Sequence, residues 1–289
     1  MNKKKIFILG SKGKLGSFLL KNLKLNKKKY KILKSVNKIN RVRLINFKKY
    51  IKKLKKIKID LIINCSGYTQ VDLAEKEKRI CKKLNYVCIR KLKNFCRDNS
   101  IILIHFSTDY VFNGQNKFYE PSDKCNPVNY YGYSKYLGEK EILTLKNNFF
   151  IFRISWLLSS HKSSFLKKMQ KKIKLKENFD VISDSVSCPT TVIFIKNFLE
   201  KNIDTFFNKK RKGIFHLANP SVLSYFQLAK YIERLLLKKN YGIVCKTKFS
   251  DYPTLAIRPK ISKLSIKKTK KYFIIPKNSW KKDVEKLIK

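Results

Sequence analysis

Apolar and polar positions along the chain switch between two periodicities. Lys5–Leu9 is a short apolar run closed by Gly10, the pattern of a buried strand. From Leu15 to Leu25 apolar residues recur three and four apart, the pattern of an amphipathic helix. A further run from Tyr30 to Val36 reads as the next strand. Three more apolar runs follow, Ile59–Asn64, Ile101–Phe106 and Phe149–Ile154, each preceded by a lysine-rich helical pattern, at 47–57, 72–98 and 133–147. Apolar strands alternating with helices predict an α/β fold with a Rossmann-like, doubly wound parallel sheet. After about residue 155 the alternation weakens. Helices are expected near 163–175, 192–207 and 224–238, with a VISDSVSCPTT loop at 181–191 and a terminal SWKKDVEKLIK segment.

In such sheets a ligand lies beyond the carboxyl ends of the strands. The first of those ends carries Gly10, Gly13 and Gly16 in GxxGxxG spacing, between a strand and a helix that opens on Lys14 and Leu15. Glycines there permit a tight turn, close approach of a pyrophosphate to the backbone, and close helix–strand packing. The phosphate sits on the helix N-terminus. The other ends release NCSGYT (64–69), STDYVFNG (107–114) and RISW (153–156), which carry polar and aromatic groups that a connector does not need. The expected organisation is a dinucleotide-binding Rossmann domain over 1–155 and a mainly substrate-binding region over 156–289, smaller and C-terminal, with some segments returning to the sheet.

A length of 289 residues, 43% of them hydrophobic, is enough to bury a core. No run of 18 apolar residues occurs, and the opening MNKKKIFILGSKGK reads as a strand entering a glycine turn, so no membrane span or signal peptide is expected and the location is cytoplasmic. The seven cysteines contain no CxxC pair, which points to reduced thiols and to no metal. The formal charge of +49 raises nucleic-acid binding, but only nine of the 68 basic residues are arginine and the lysines run through the whole chain. A base-composition bias explains that spread, so no specific nucleic acid is expected.

The stretch VNYYGYSKYLGE holds four tyrosines, at 130, 131, 133 and 136. Tyr131 stands four residues before Lys135, and Tyr136 four before Lys140, so either pair shares a helix face. An ammonium beside a phenol favours phenolate and tunes it for proton exchange with a ketone or alcohol. Spacing alone does not choose between the pairs. Pro127 marks where a helix can begin, which puts Tyr131 in its first turns, with Gly132 and Ser134 leaving room for a ligand.

Across nearly its whole length the chain resembles the extended short-chain dehydrogenase/reductases, and within them the dTDP-4-dehydrorhamnose reductases. The resemblance rests on the Gly10–Gly16 loop, NCSGYTQVDLAEKE, STDYVFNG, PVNYYGYSK, FRISW, DSVSCPTT, RPKISKL and Trp280 near the end. It implies reduction, by NADPH or NADH, of the 4-keto group of a dTDP-linked 4-keto-6-deoxy sugar. The family's YGxxK falls on Tyr131, Gly132 and Lys135. Tyr131 is then implied as proton donor, and Lys135 as the group that lowers its pKa and holds the nicotinamide ribose. Thr108 is implied on the carbonyl, and Gly67, Tyr68 and Thr69 along the cofactor. Asp109 and Trp156 are implied to face the sugar, with Arg258 either reaching the diphosphate or anchoring a lid.

Where the family carries acids near its third strand, this chain has Arg43 and Asn46, which opens a place for a 2′-phosphate and makes NADPH acceptable. Phe18 replaces a glutamate of some relatives, so no metal is expected. His105 and His216 are expected to be structural. The assembly considered is a homodimer. The rivals are reduction of another nucleotide-linked 4-keto sugar and a non-catalytic regulatory subunit, against which the joint retention of Thr108, Tyr131 and Lys135 argues.

Overall fold

The computed structural model describes residues 2–33, 51, 54–208, 212–237 and 243–289. Its centre is a parallel sheet of β1 (Lys4–Leu9), β2 (Tyr30–Leu33), β3 (Leu61–Asn64), β4 (Ile102–Thr108), β5 (Phe149–Ile154) and β6 (Gly213–His216), in the order β6-β5-β4-β3-β1-β2. The chain runs outward from β1 in both directions, so the carboxyl ends of β1 and β3 flank the crevice where ligands bind in such sheets. The expected strands lie in place with shifted ends. β4 runs two residues further than expected, to Thr108, which pairs with Ile154 of β5. The last part of the expected second strand and most of the expected 47–57 helix lie outside the described residues.

The period of two along the strands builds two cores. Ile6, Ile8, Ile63, Ile104, Phe150 and Phe152 face helices α1 (Lys14–Asn22) and Val192–Phe206, while Phe7, Ile62, Leu103 and Ile151 face the helices that follow β3 and β4. β6 comes from the C-terminal part of the chain and closes the sheet beside β5. The rest of that part, with helices Phe165–Lys174 and Tyr225–Leu237 and a short sheet of Leu223–Ser224, Val186–Ser187 and Ile261–Ser262, supplies residues to the cleft beyond the strand ends.

The helical pattern at 72–98 is broken rather than continuous. It forms α2 (Val71–Lys76), α3 (Lys78–Lys82), a π-helical turn (Lys83–Val87) and α4 (Cys88–Asp98). The π turn brings in Asn85, fully buried, whose amide accepts from the Tyr68 N–H at 2.8 Å and donates to the Tyr68 carbonyl at 3.1 Å and to Ser134 Oγ at 2.9 Å. Apolar periodicity does not register such a turn, because it serves polar groups that need a partner away from water.

Helix α5 (Tyr130–Leu143) follows and is tied to β5 by an ion pair in the interior. Arg153 donates to Glu139 through Nη2 at 2.8 Å and Nε at 3.1 Å, with side-chain exposures of 2% and 1%. Its remaining donors reach the Pro121 carbonyl and Cys125 Sγ, and its guanidinium lies 5.0 Å over the Phe112 ring. Removing one partner leaves a buried, uncompensated charge. Glu139→Ala should therefore cost about 3–5 kcal/mol of stability in urea unfolding. A loss below about 1 kcal/mol would show that the Arg153 charge is relieved elsewhere.

Candidate active site

The glycine loop is shaped by close approach of backbone to backbone. Gly10 has φ +85°, and a Cβ there would lie 2.6 Å from the Ser66 nitrogen in the loop after β3. A Cβ on Gly16 would lie 2.3 Å from the Gly10 carbonyl oxygen, so α1 sits flush on the turn. Gly13 N–H donates to that same oxygen at 2.9 Å. α1 begins after its N-cap Gly13 with no side-chain cap and no acid in its first turn, so neither a capping side chain nor a first-turn carboxylate answers its leading N–H groups and the positive end of its dipole. They border a cleft of about 310 Å³, lined on this side by Gly13, Lys14 and Leu15. Burial, and after it the charge of Lys168, holds the Lys14 ammonium below its usual pKa.

Beyond β3, Asn64 Oδ1 accepts from the Ser66 N–H at 3.0 Å and from Ser66 Oγ at 2.6 Å. Gly67 and Thr69 line the cleft. The Tyr68 side chain leads away from it, buried, with its hydroxyl donating to Glu77 Oε2 at 2.6 Å.

α5 enters from the opposite side. Asn129 is its N-cap and accepts from Gly132 N–H at 2.8 Å, while Glu75 Oε1 accepts from Tyr130 N–H at 2.7 Å. Gly132 is required because a Cβ there would lie 2.0 Å from the Tyr110 carbonyl oxygen. Tyr131 thus lies in the first turn and lines the cleft with Thr108, its ring 5.8 Å from that of Tyr110 in a T-shaped contact. Tyr136, the other member of a tyrosine–lysine pair, packs in a separate cluster with Lys140 Nζ 5.2 Å over its ring.

One turn after Tyr131, Lys135 Nζ donates to the Phe106 carbonyl at 2.7 Å and lies 3.2 Å from His105 Nε2. Burial pushes the Lys135 ammonium down to about 8, against an opposing pull from Glu139. The expectation that Lys135 lowers the Tyr131 pKa is not met in the free protein. Burial raises the Tyr131 hydroxyl well above its ordinary value, and the Thr108 contact only reduces that rise. Desolvation dominates here, and Tyr131 stands as a protonated phenol.

Thr108 and Asp109 leave the end of β4 together. Thr108 Oγ1 lies 3.0 Å from Asp109 Oδ1 and accepts from the Tyr110 N–H at 3.2 Å. The other Asp109 oxygen accepts from Ser155 Oγ at 2.8 Å and from Ser262 Oγ. The carboxylate is therefore engaged by three hydroxyls and holds Thr108 in place. Burial raises its pKa, and those hydroxyls oppose the rise. Trp156 lines the cleft with φ +41° and a buried Nε1 that has no partner among the described residues, its ring 4.3 Å from Tyr225.

Arg258 does not line this cleft. It donates to Asp72 Oδ2 at 2.5 Å, on the wall of a second cleft of about 630 Å³ that shares Tyr110, Phe165 and Tyr225 with the first. Arg43 lies outside the described residues.

Several residues of this region carried no readable signal in the sequence. Ser107 Oγ, buried on the cleft wall, has no partner among the described residues. Phe165 and Tyr225 reach the cleft from the C-terminal helices. His105 is fully buried, as expected of a structural histidine, yet it touches Lys135. Among the described residues no group of three or more His, Cys, Asp or Glu side chains is placed to hold a metal ion.

Relatives share this architecture. A dTDP-4-dehydrorhamnose reductase from Bacillus anthracis, solved in complex with NADP, superposes with a TM-score of 0.87 at 28% identity over 99% of each chain. A dTDP-4-dehydrorhamnose reductase from Aggregatibacter actinomycetemcomitans is 30% identical over 237 residues, 80% of this chain and 81% of its own. A dTDP-4-keto-6-deoxy-D-glucose reductase from Streptomyces niveus is 33% identical over 177 residues, 61% of this chain and 60% of its own. The family profile of the RmlD substrate binding domain matches residues 4–289, and the chain belongs to that family.

Proposed function

We propose that this chain reduces the 4-keto group of dTDP-4-dehydro-L-rhamnose, giving dTDP-L-rhamnose, with NADPH or NADH as the reductant. The observation that carries the reading is the convergence of Thr108, Tyr131 and Lys135 on one cleft, opposite the glycine loop, at the reversal point of the sheet. A regulatory subunit that only binds dinucleotide has no need of that convergence.

The residues present fit a dinucleotide. A Cβ on Gly13 would meet only the Gly10 carbonyl, at 3.4 Å, and the Cys65 carbonyl, at 3.9 Å, so the cleft side of the loop is open for a phosphate to approach the backbone. Gly13, Lys14 and Leu15 would hold the pyrophosphate end, and Gly67, Thr69 and Lys135 the nicotinamide end. Arg43 is a candidate for a 2′-phosphate, and the NADP in the Bacillus anthracis relative supports NADPH as the better cofactor. The cofactor supplies the hydride when bound.

The protein's part is to place and protonate the ketone. Tyr131, kept as a phenol by burial, gives its proton to the carbonyl oxygen as negative charge develops there. Thr108 turns its one hydroxyl hydrogen from Asp109 Oδ1 to the same oxygen when the ketone is bound, and fixes its direction. The Lys135 charge then steadies the phenolate left behind. The unpartnered Trp156 Nε1 offers a donor to a sugar hydroxyl, and the second cleft, bounded by Arg258, gives room for the nucleotide.

On this reading residues 1–155 hold the cofactor and 156–289 the sugar nucleotide, with β6 returning to the sheet. The enzyme works in the cytoplasm as a homodimer without a nucleic-acid partner. No helix among the described residues is long and apolar enough to cross a membrane.

Tyr131→Phe should keep cofactor affinity and lose about 10²–10⁴-fold in kcat, whereas Tyr136→Phe stays near wild type. The reverse ranking would place the chemistry on the other tyrosine. Gly13→Ala should melt within a few degrees of wild type yet bind NADPH about tenfold more weakly, since its methyl group occupies the phosphate's approach. Equal affinity in a calorimetric titration would remove the phosphate from this loop.

A further inference from the structure

A chain of hydrogen bonds of fixed polarity ends on Lys135. It begins at a group whose role is not in question, the backbone N–H of Ser66, which must donate to Asn64 Oδ1 at 3.0 Å. That contact orients the Asn64 amide, so Asn64 Nδ2 is the atom facing His105 Nδ1, at 2.9 Å. An amide NH₂ only donates, so His105 Nδ1 accepts. A neutral imidazole that accepts at Nδ1 carries its hydrogen on Nε2. Nε2 lies 3.2 Å from Lys135 Nζ. An ammonium has no lone pair to receive that hydrogen, whereas an uncharged amine has one. Lys135 then donates onward to the Phe106 carbonyl at 2.7 Å.

We propose that His105 is a positioning residue that tunes the protonation state of Lys135, its Nε2–H tautomer favouring the uncharged amine. The proposal rests on the reductase reading only for its consequence, that Lys135 gains a proton from solvent to serve as the cationic partner of Tyr131. When Lys135–NH₂ takes up that proton it becomes an ammonium, and the His105 hydrogen must move to Nδ1 or the contact must break. A move to Nδ1 would bring two donors face to face at Asn64. The Asn64 amide cannot turn to relieve this without abandoning the Ser66 N–H. Lys135 charge, His105 tautomer and the loop after β3 are thus coupled.

The groups that face Lys135 agree with a site where charge is finely set. Glu139 on its own helix favours the ammonium but is engaged by Arg153. Cys81 from α3 and Cys65 after β3 also face it, their thiols kept protonated by burial, and Tyr131 on the same helix is protonated. His105, from β4, is held neutral by burial first and by Lys135 second. Burial of Lys135 opposes the pull of Glu139 and brings its changeover to about pH 8.

The chain has three histidines, so nitrogen NMR of ¹⁵N-histidine-labelled protein resolves the tautomer directly, with His105→Gln assigning the signal. Above the Lys135 changeover the wild type should show His105 as the Nε2–H tautomer, with an unprotonated Nδ1. Lowering the pH through the changeover should shift both ring nitrogens while His161 and His216 titrate separately. An Nδ1–H tautomer at high pH, an imidazolium, or ring signals indifferent to the changeover would overturn the proposal. In kinetics, the side-chain carbonyl that His105→Gln introduces accepts from an ammonium, so this variant should move the alkaline limb of kcat/KM up by at least about one pH unit. A limb unmoved in a folded variant would also count against it. A wild type that shows the tautomer but reduces no sugar nucleotide would retire the reductase reading and leave the inference about the free protein standing.

Discussion

The site depends on how closely one helix approaches the backbone around it. α5 enters against the carbonyl of Tyr110 at Gly132 and against the carbonyl of Asn85 at Gly138, where a Cβ would lie 2.0 and 2.3 Å from oxygen. No side chain fits at either point, so glycine is imposed and the helix is held at backbone distance from two separate segments. One turn of helix then carries Tyr131 to Thr108 and Lys135 to the end of β4. The Asn129 cap and the Arg153–Glu139 pair fix the two ends of the same helix, so neither reacting group depends on a mobile loop for its position.

That closeness also buries the polar groups around the cleft, and burial decides their electrostatics. Tyr131, Lys135, Asp109 and His105 are all shifted chiefly by burial, each toward its uncharged form. A reductase that must deliver a proton gains from a phenol that stays protonated until a developing alkoxide draws on it. The compensating contacts are hydrogen bonds from hydroxyls at Asp109 and the charge of Glu139 at Lys135. The excess of lysine elsewhere in the chain leaves this interior almost untouched.

Much of this was legible in the sequence. The βαβ opening and the succession of central strands along the chain follow from periodicity, because buried parallel strands and amphipathic helices have distinct periods, and the glycine loop follows from its spacing. Tyr131 and Lys135 followed from a four-residue spacing joined to a family resemblance; spacing alone left Tyr136 equal. The π turn at Asn85, the unpartnered Ser107, the tautomer-bearing His105 and the contribution of Tyr225 were not legible. Each depends on which polar atom lies opposite which in three dimensions, and the apolar pattern does not record that. Tyr68 illustrates the same limit: it sits inside the right motif, yet its ring leads away to Glu77.

Everything in the cleft converges on passing hydride and proton to a dTDP-linked 4-keto sugar. The decisive assay mixes the purified chain with NADPH, dTDP-4-dehydro-6-deoxyglucose and a 3,5-epimerase, follows the nicotinamide absorbance, and identifies the sugar nucleotide chromatographically. Loss of reduced cofactor should be matched mole for mole by dTDP-L-rhamnose, with little turnover when the epimerase is left out. Rapid turnover without the epimerase would give the enzyme the unepimerised sugar instead, as in the name of its Streptomyces niveus relative. Cofactor binding with no oxidation on either sugar would contradict a reductase role for Thr108, Tyr131 and Lys135.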